Sequence, residues 1–156
     1  KQINIHSTIT ILTEQELTAI ELDLKNQAFE VRSKAYAPYS KFTVGAAILL
    51  DNGIVVQGSN QENAAYPSGI CAERVAVFAA GANYPGTAVK TIVVMAKGEL
   101  IGADECVSPC GSCRQVIAES ERRQQEAIRI ILISQDGKTW IFNSIKDILI
   151  FPFGVK

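Results

Sequence analysis

The sequence predicts an α/β protein, a three-layer α/β/α sandwich built on a mixed sheet of about five strands. Three observations carry this. The runs 42–50, 91–96 and 128–133 are almost wholly apolar and rich in β-branched residues, the pattern of strands buried on both faces. Stretches of helical period lie between or before them, at 14–36, 71–80 and 110–121. The chain has 156 residues, 47% hydrophobic and 20% charged, which suits one soluble domain with an ordinary core. Residues 1–156 are therefore expected to form a single domain, with 1–12 as an N-terminal arm.

Each element has its own signal. Lys1 to Leu12 alternates apolar and polar residues (Ile3, Ile5, Ile9, Ile11), as a short strand or an ordered arm would. His6, the only histidine, reads as a surface residue rather than a metal ligand. Thr13-Glu14-Gln15-Glu16 is a capping box, and Leu17, Ile20, Leu24, Ala28, Val31 and Ala35 follow at helical spacing. A helix is expected from Glu14 to Tyr36, because Pro38 disfavours helix at Ala37. Phe42 to Leu50 and Ile54 to Gly58 form a hairpin across Asp51-Asn52-Gly53, which supplies the positive-φ turn. Asn60 to Ile70 is polar and holds Pro67 and Gly69, hence a loop.

Cys71 to Ala80 is a helix expected to end at Gly81, before the turn Tyr84-Pro85-Gly86. Thr91 to Ala96 is a buried strand, Gly98 to Ser108 a loop, and Cys110 to Glu121 a helix whose end, Glu119 to Arg123, reads as a solvated charge run. Ile128 to Ile133 and Thr139 to Phe142 are the last strands, joined by Asp136-Gly137-Lys138. Asn143 or Ser144 caps a final helical turn through Leu149, and an aromatic tail, Phe151-Pro152-Phe153, follows.

The net charge of −1 removes the electrostatic case for a nucleic-acid polymer or an anionic membrane as partner. The longest apolar runs are too short to cross a bilayer. Lys1 to Leu12 has no apolar core like that of a signal peptide, so the expected compartment is cytoplasmic. In that setting a C-x-x-C pair is metal-binding or catalytic more often than a disulfide.

The stretch from Cys71 to Cys113 carries the chemistry. Cys110-Gly111-Ser112-Cys113 can place two thiolates on one zinc ion, and Cys71 supplies a third. All three fall at expected helix N-termini, where free N–H groups and the helix dipole favour thiolates. Three protein ligands leave a fourth position open for water, the mark of a catalytic zinc. Arg74 is placed to offset the excess negative charge. Glu73, two residues after Cys71, lies near the metal without having to bind it and suits a general acid/base. Two other readings of the cysteines exist: a closed four-cysteine zinc knot with Cys106 as the last ligand, and a redox pair at Cys110 and Cys113. Cys106 falls in an expected loop, and neither reading gives Glu73 a task.

Cys71-Ala72-Glu73-Arg74 and Pro109-Cys110-Gly111-Ser112-Cys113-Arg114-Gln115 resemble the motifs of the small, three-cysteine, homotetrameric cytidine deaminases. Ala37-Pro38-Tyr39-Ser40-Lys41-Phe42 with Val44-Gly45-Ala46-Ala47, and Asn60 to Pro67, resemble the same family's first strand and ribose-binding segment. The resemblance implies zinc on Cys71, Cys110 and Cys113, and Glu73 as the proton shuttle. It implies that Asn60 and Glu62 bond the ribose hydroxyls, Phe42 stacks on the pyrimidine, and the Ala72 backbone meets the base. It implies that Arg74 bonds a ligand sulfur and that Tyr66 approaches the site from a neighbouring subunit.

The reaction implied is zinc-dependent hydrolytic deamination of cytidine or deoxycytidine in pyrimidine salvage, by a homotetramer acting on a small nucleoside. Two competing functions are a zinc deaminase of another aminopyrimidine nucleoside and a structural zinc module. Two features depart from the family. Pro152 is followed three residues later by Val155, where the family carries a phenylalanine that closes a neighbour's site, leaving Phe151 or Phe153 for that part. The arm 1–12 is also longer than the family needs.

Overall fold

The computed structural model describes residues 1–154. Among them six strands form one mixed sheet: β1 (Thr10–Leu12), β2 (Thr43–Leu50), β3 (Val55–Ser59), β4 (Val89–Lys97), β5 (Arg129–Ile133) and β6 (Thr139–Phe142). Their order is β1-β6-β5-β4-β2-β3. Only β4 and β5 pair in parallel; the other neighbours are antiparallel. The expected count of about five was short by one. The arm supplies the sixth, because Thr10, Ile11 and Leu12 pair with Ile141, Trp140 and Thr139 and cover the open edge of β6.

Three α-helices complete the layers: α1 (Ala19–Val31), α2 (Ala72–Asn83) and α3 (Gly111–Gln124). Alternate residues of the central strands explain their continuous apolar runs. Ala46, Ile48, Ile92, Val94, Ile130 and Leu132 pack with Ala76 and Ala80 of α2 and Ile117 of α3. Ala47, Val93, Met95, Ile131 and Ile133 pack on the opposite face with Leu24 and Ala28 of α1. Each such Val, Leu, Ile or Met side chain contributes about 1.5–3 kcal/mol by leaving water. Two glycines let the helices approach the sheet. A Cβ on Gly45 would stand 2.0 Å from the Ala28 carbonyl oxygen of α1. One on Gly58 would stand 2.4 Å from the Ala72 carbonyl oxygen and 2.7 Å from the Ala76 nitrogen of α2.

This topology decides where a site can form. β3 and β4 each run antiparallel to β2, so they point the same way, and β5 runs parallel to β4. The helices α2 and α3 therefore both begin at the carboxyl ends of these strands, where open α/β sheets bind ligands.

Some boundaries differ from expectation. The first helix is shorter than Glu14–Tyr36. Glu14–Glu16 is a 3₁₀ turn, Leu17 is extended, and α1 starts behind a second capping box formed by Thr18 and Glu21. Arg32–Lys34 forms another 3₁₀ turn. Tyr36 cannot be helical, because its backbone pairs instead with Asn60 O (3.0 Å) and Glu62 N (2.8 Å). Gly81 does not end α2, which runs on to Asn83; the left-handed glycine is Gly86, at φ 81°. Cys71 and Cys110 are N-caps rather than first helical residues, and α3 extends past Glu121 to Gln124.

The charge run 119–123 is not all solvated. Glu121 is buried, and its carboxylate accepts from Ile128 N (2.8 Å), Ile145 N (2.9 Å) and Ser144 Oγ (2.8 Å), holding the C-terminal segment to α3. The last helical turn is a 3₁₀ turn, Ile145–Asp147, which Ser144 caps by accepting from Lys146 N.

Candidate active site

The N-caps of α2 and α3 bring Cys71 and Cys110 together, and Cys113 comes in from the first turn of α3. The three Sγ atoms lie within 4.8 Å of one another, and Cys110 Sγ is 3.5 Å from Cys113 Sγ. Tetrahedral zinc with bonds of about 2.3 Å puts its sulfur ligands about 3.8 Å apart, so the donor set and spacing fit that ion. Cys106 is not in this group. It is half-buried and packs against the core on the α2 and α3 face, which argues against the closed four-cysteine knot. His6 lies exposed in the arm, outside the cluster.

The electrostatics divide the sulfurs. Cys71 is pushed down to about 5, first by the hydrogen bond from the Cys113 thiol and then by the Arg74 guanidinium, against the opposing effect of burial. Arg74 Nη2 lies 3.6 Å from Cys71 Sγ, and its Nε is buried without a partner among the described residues. Cys113 is pushed the other way, up, first by the hydrogen bond it gives to Cys71 and then by burial, with the Glu73 charge adding to it. The Arg74 cation thus favours the anionic, ligating form at Cys71.

Glu73 is 5% exposed on the first turn of α2. Burial pushes its carboxyl above the usual range; its own backbone N–H, the Cys113 thiol and Arg74 oppose this, while the Cys71 charge adds to it. A carboxyl whose charged form burial disfavours is suited to holding a proton and passing it on. Ala72, fully buried, precedes it.

These groups open on a cavity of about 660 Å³, whose lining includes Phe42, Asn60, Glu62, Tyr66, Cys71 and Glu73. The volume is that of a small-molecule site. The Asn60 side chain bridges two backbone groups, accepting from Val44 N at 2.8 Å and donating to Phe42 O at 2.9 Å. One N–H and one lone pair remain on that amide. Glu62 Oε2 accepts from Tyr39 N (3.0 Å) and Ser40 N (3.3 Å), and Oε1 accepts from Ser40 Oγ. Tyr66 lines the mouth of its own chain's cavity, 77% exposed, edge-on to Tyr39 at 6.3 Å between ring centres. Phe151 and Phe153 are exposed and lie away from this cavity, and Val155 falls outside the described residues.

Sequence reasoning placed Arg114 and Gln115 in the second motif but gave them no role. Arg114 donates from Nε to Pro109 O (2.8 Å), from Nη2 to Ser108 Oγ (2.8 Å) and from Nη1 to Ile148 O (2.7 Å), locking the turn that carries Cys110 to the C-terminal segment. Gln115 exchanges two hydrogen bonds of 2.8 Å with the backbone of Phe153. The available signal was position alone: a long donor side chain directly after the last cysteine.

Fold and site together define a layered α/β protein with a three-sulfur metal site and a buried carboxyl group at the floor of a nucleoside-sized cleft. The model of the cytidine and deoxycytidylate deaminase zinc-binding region matches residues 20–127, and the chain belongs to this family. It is 44% identical over 96 residues to a cytidine deaminase of Halalkalibacterium halodurans, covering 62% of this chain and 68% of that one. It is 48% identical over 90 residues to a cytidine deaminase of Sporosarcina psychrophila, covering 58% of this chain and 62% of that one. The crystal structure of cytidine deaminase from Burkholderia pseudomallei superposes with a TM-score of 0.74 at 36% identity, over 88% of this chain and all of that one.

Proposed function

We propose that this protein hydrolyses the exocyclic amine of cytidine or deoxycytidine, giving uridine or deoxyuridine and ammonia in pyrimidine salvage. The observation that carries the reading is Glu73, buried beside the Cys71 and Cys113 sulfurs and facing a cavity whose lining also holds the Asn60 amide and the Glu62 carboxylate.

Cys71, Cys110 and Cys113 would hold zinc, and Arg74 would offset their charge. Zinc so held would supply a Lewis-acid position that makes water acidic near neutral pH. The chain's own residues do the rest. Asn60 and Glu62 orient the sugar through its hydroxyls, and Phe42 and the Ala72 backbone hold the base. Glu73 takes a proton from the attacking water and delivers it to the ring nitrogen beside the reacting carbon. It then takes the second proton from the hydroxyl just added to that carbon and passes it to the amine; the C–N bond breaks as the carbonyl forms, so one water is consumed and one ammonia released. Burial of Glu73 keeps this proton from exchanging with bulk solvent.

The whole chain acts as one domain with residues 1–12 as its arm. Among the described residues no helix is long and apolar enough to cross a membrane, and we place the enzyme in the cytoplasm. The exposed Tyr66, Phe151 and Phe153 rings suit burial between subunits of a homotetramer, in which Tyr66 and a tail aromatic approach a neighbour's cavity.

The test is metal content and ultraviolet turnover on one preparation, with cytidine, deoxycytidine and free cytosine as substrates. The expected result is about one zinc per chain and nucleosides turned over at least about tenfold better than cytosine. Faster turnover of cytosine would remove the sugar assignment, and absence of turnover would remove the activity.

A further inference from the structure

The loop from Tyr39 to Phe42 is folded around a carboxylate. Lys41 sits in the left-handed region, at φ 58°, a conformation that a residue with a Cβ seldom adopts. This bend lets Tyr39 N and Ser40 N both reach Glu62 Oε2 while Phe42 turns back into the cavity. Ser40 joins the two ends. Its hydroxyl donates to Glu62 Oε1, and its oxygen accepts from Phe42 N at 3.0 Å.

The hydroxyl has a single proton. Phe42 N–H occupies a lone pair on the oxygen, so the proton goes to Glu62. Oε2 is filled by two backbone donors, and Oε1 keeps one acceptor direction open. The Glu62 carboxyl is held below its usual range, with the Ser40 hydroxyl as the first cause, so it is an anion at neutral pH.

We propose that Ser40 is a positioning residue that, braced by the Phe42 N–H, fixes the Glu62 carboxylate in the direction that meets the sugar hydroxyl. The proposal rests on the assignment of Glu62 to the sugar. Without the Ser40 hydroxyl, Oε1 turns to water, Phe42 N–H loses its partner, and the enzyme forfeits discrimination rather than chemistry.

The experiment compares kcat/KM for cytidine and for 2′,3′-dideoxycytidine, which lacks both sugar hydroxyls, in the wild type, Ser40→Ala and Ser40→Thr, with zinc per chain measured on each. In Ser40→Ala the cytidine value should fall about tenfold, the worth of one hydrogen bond to a charged group, while the dideoxycytidine value falls less than about threefold. Ser40→Thr keeps the hydroxyl and should restore the wild-type ratio to within about threefold. If Ser40→Ala lowers both substrates equally, Ser40 only supports the loop and the proposal fails. If the wild type itself does not distinguish the two substrates, the sugar assignment of Glu62 fails and takes this proposal with it.

Discussion

The two walls of the cavity are built on opposite plans. The wall that carries Glu73 and the cysteines is made of helix starts seated on a sheet, with Gly58 allowing α2 to settle against β3. Its innermost groups are buried, Cys113 at 0% and Glu73 at 5% exposed, while Cys71 is half-buried and Cys110 lies exposed at the open edge. The other wall is loop, from Tyr39 to Phe42 and from Asn60 to Tyr66, and is held by side chains that clamp backbone: Asn60 on Phe42 and Val44, Glu62 on Tyr39 and Ser40. Its outer rim is solvent-exposed, Tyr39 at 51% and Tyr66 at 77%. The difference suits the tasks proposed for the two walls. Proton transfer needs a dry, fixed carboxyl, because charge is worth more in a low dielectric. Sugar recognition needs polar groups pre-aimed yet reachable from solvent, which a braced loop provides.

The largest effect that would sharpen this contrast is at Glu73. Glu73→Gln keeps the shape and removes the proton carrier, so kcat should fall about 10³- to 10⁴-fold while zinc stays at about one per chain. Turnover near that of the wild type, with the metal in place, would mean the buried wall does not shuttle the proton and would erase the division of labour.

How much of this was readable beforehand also divides along the two walls. The gathering of the cysteines with Glu73 and Arg74 was legible because metal and proton chemistry demand particular residue types at short spacings. The wall opposite was legible only by resemblance, since Asn60 and Glu62 act through backbone atoms of residues about twenty positions earlier. The end of the first helix was misjudged for the same reason: Tyr36 is claimed by the 60–62 segment, a long-range pairing that local periodicity does not register. Two capping boxes five residues apart, at Thr13 and Thr18, left the helix start ambiguous, and the one next to Leu24, Ala28 and Val31 begins the buried face. Glu121 looked like solvated charge because its three donors come from Ile128, Ser144 and Ile145, all outside its own helix.

Arg114 tests whether the metal wall is braced as firmly as it is buried. Its three hydrogen bonds tie Pro109, Ser108 and Ile148 together behind Cys110. Arg114→Ala should weaken zinc about tenfold, read as faster transfer of the ion to a chromogenic chelator, because groups that orient ligands cost this much when removed. Arg114→Lys, which offers a point charge in place of the planar fork, should recover only part of that loss. Unchanged transfer rates in both variants would assign the holding of Cys110 to its helix alone.

The smallest expected effect is at Cys106, and it guards the contrast from the other side. Its thiol is half-buried against the core, and burial pushes its pKa up, as for a packing cysteine rather than a ligand. Cys106→Ser puts a hydroxyl into that packing, so stability should fall by about 1 kcal/mol and the melting point by about 2–4 °C. Zinc content and turnover should stay within about twofold of the wild type, since the change lies outside the three-sulfur set. Loss of zinc from this variant would make Cys106 a fourth ligand. That would close the coordination position beside Glu73, and the buried wall would become a structural knot with no water to activate.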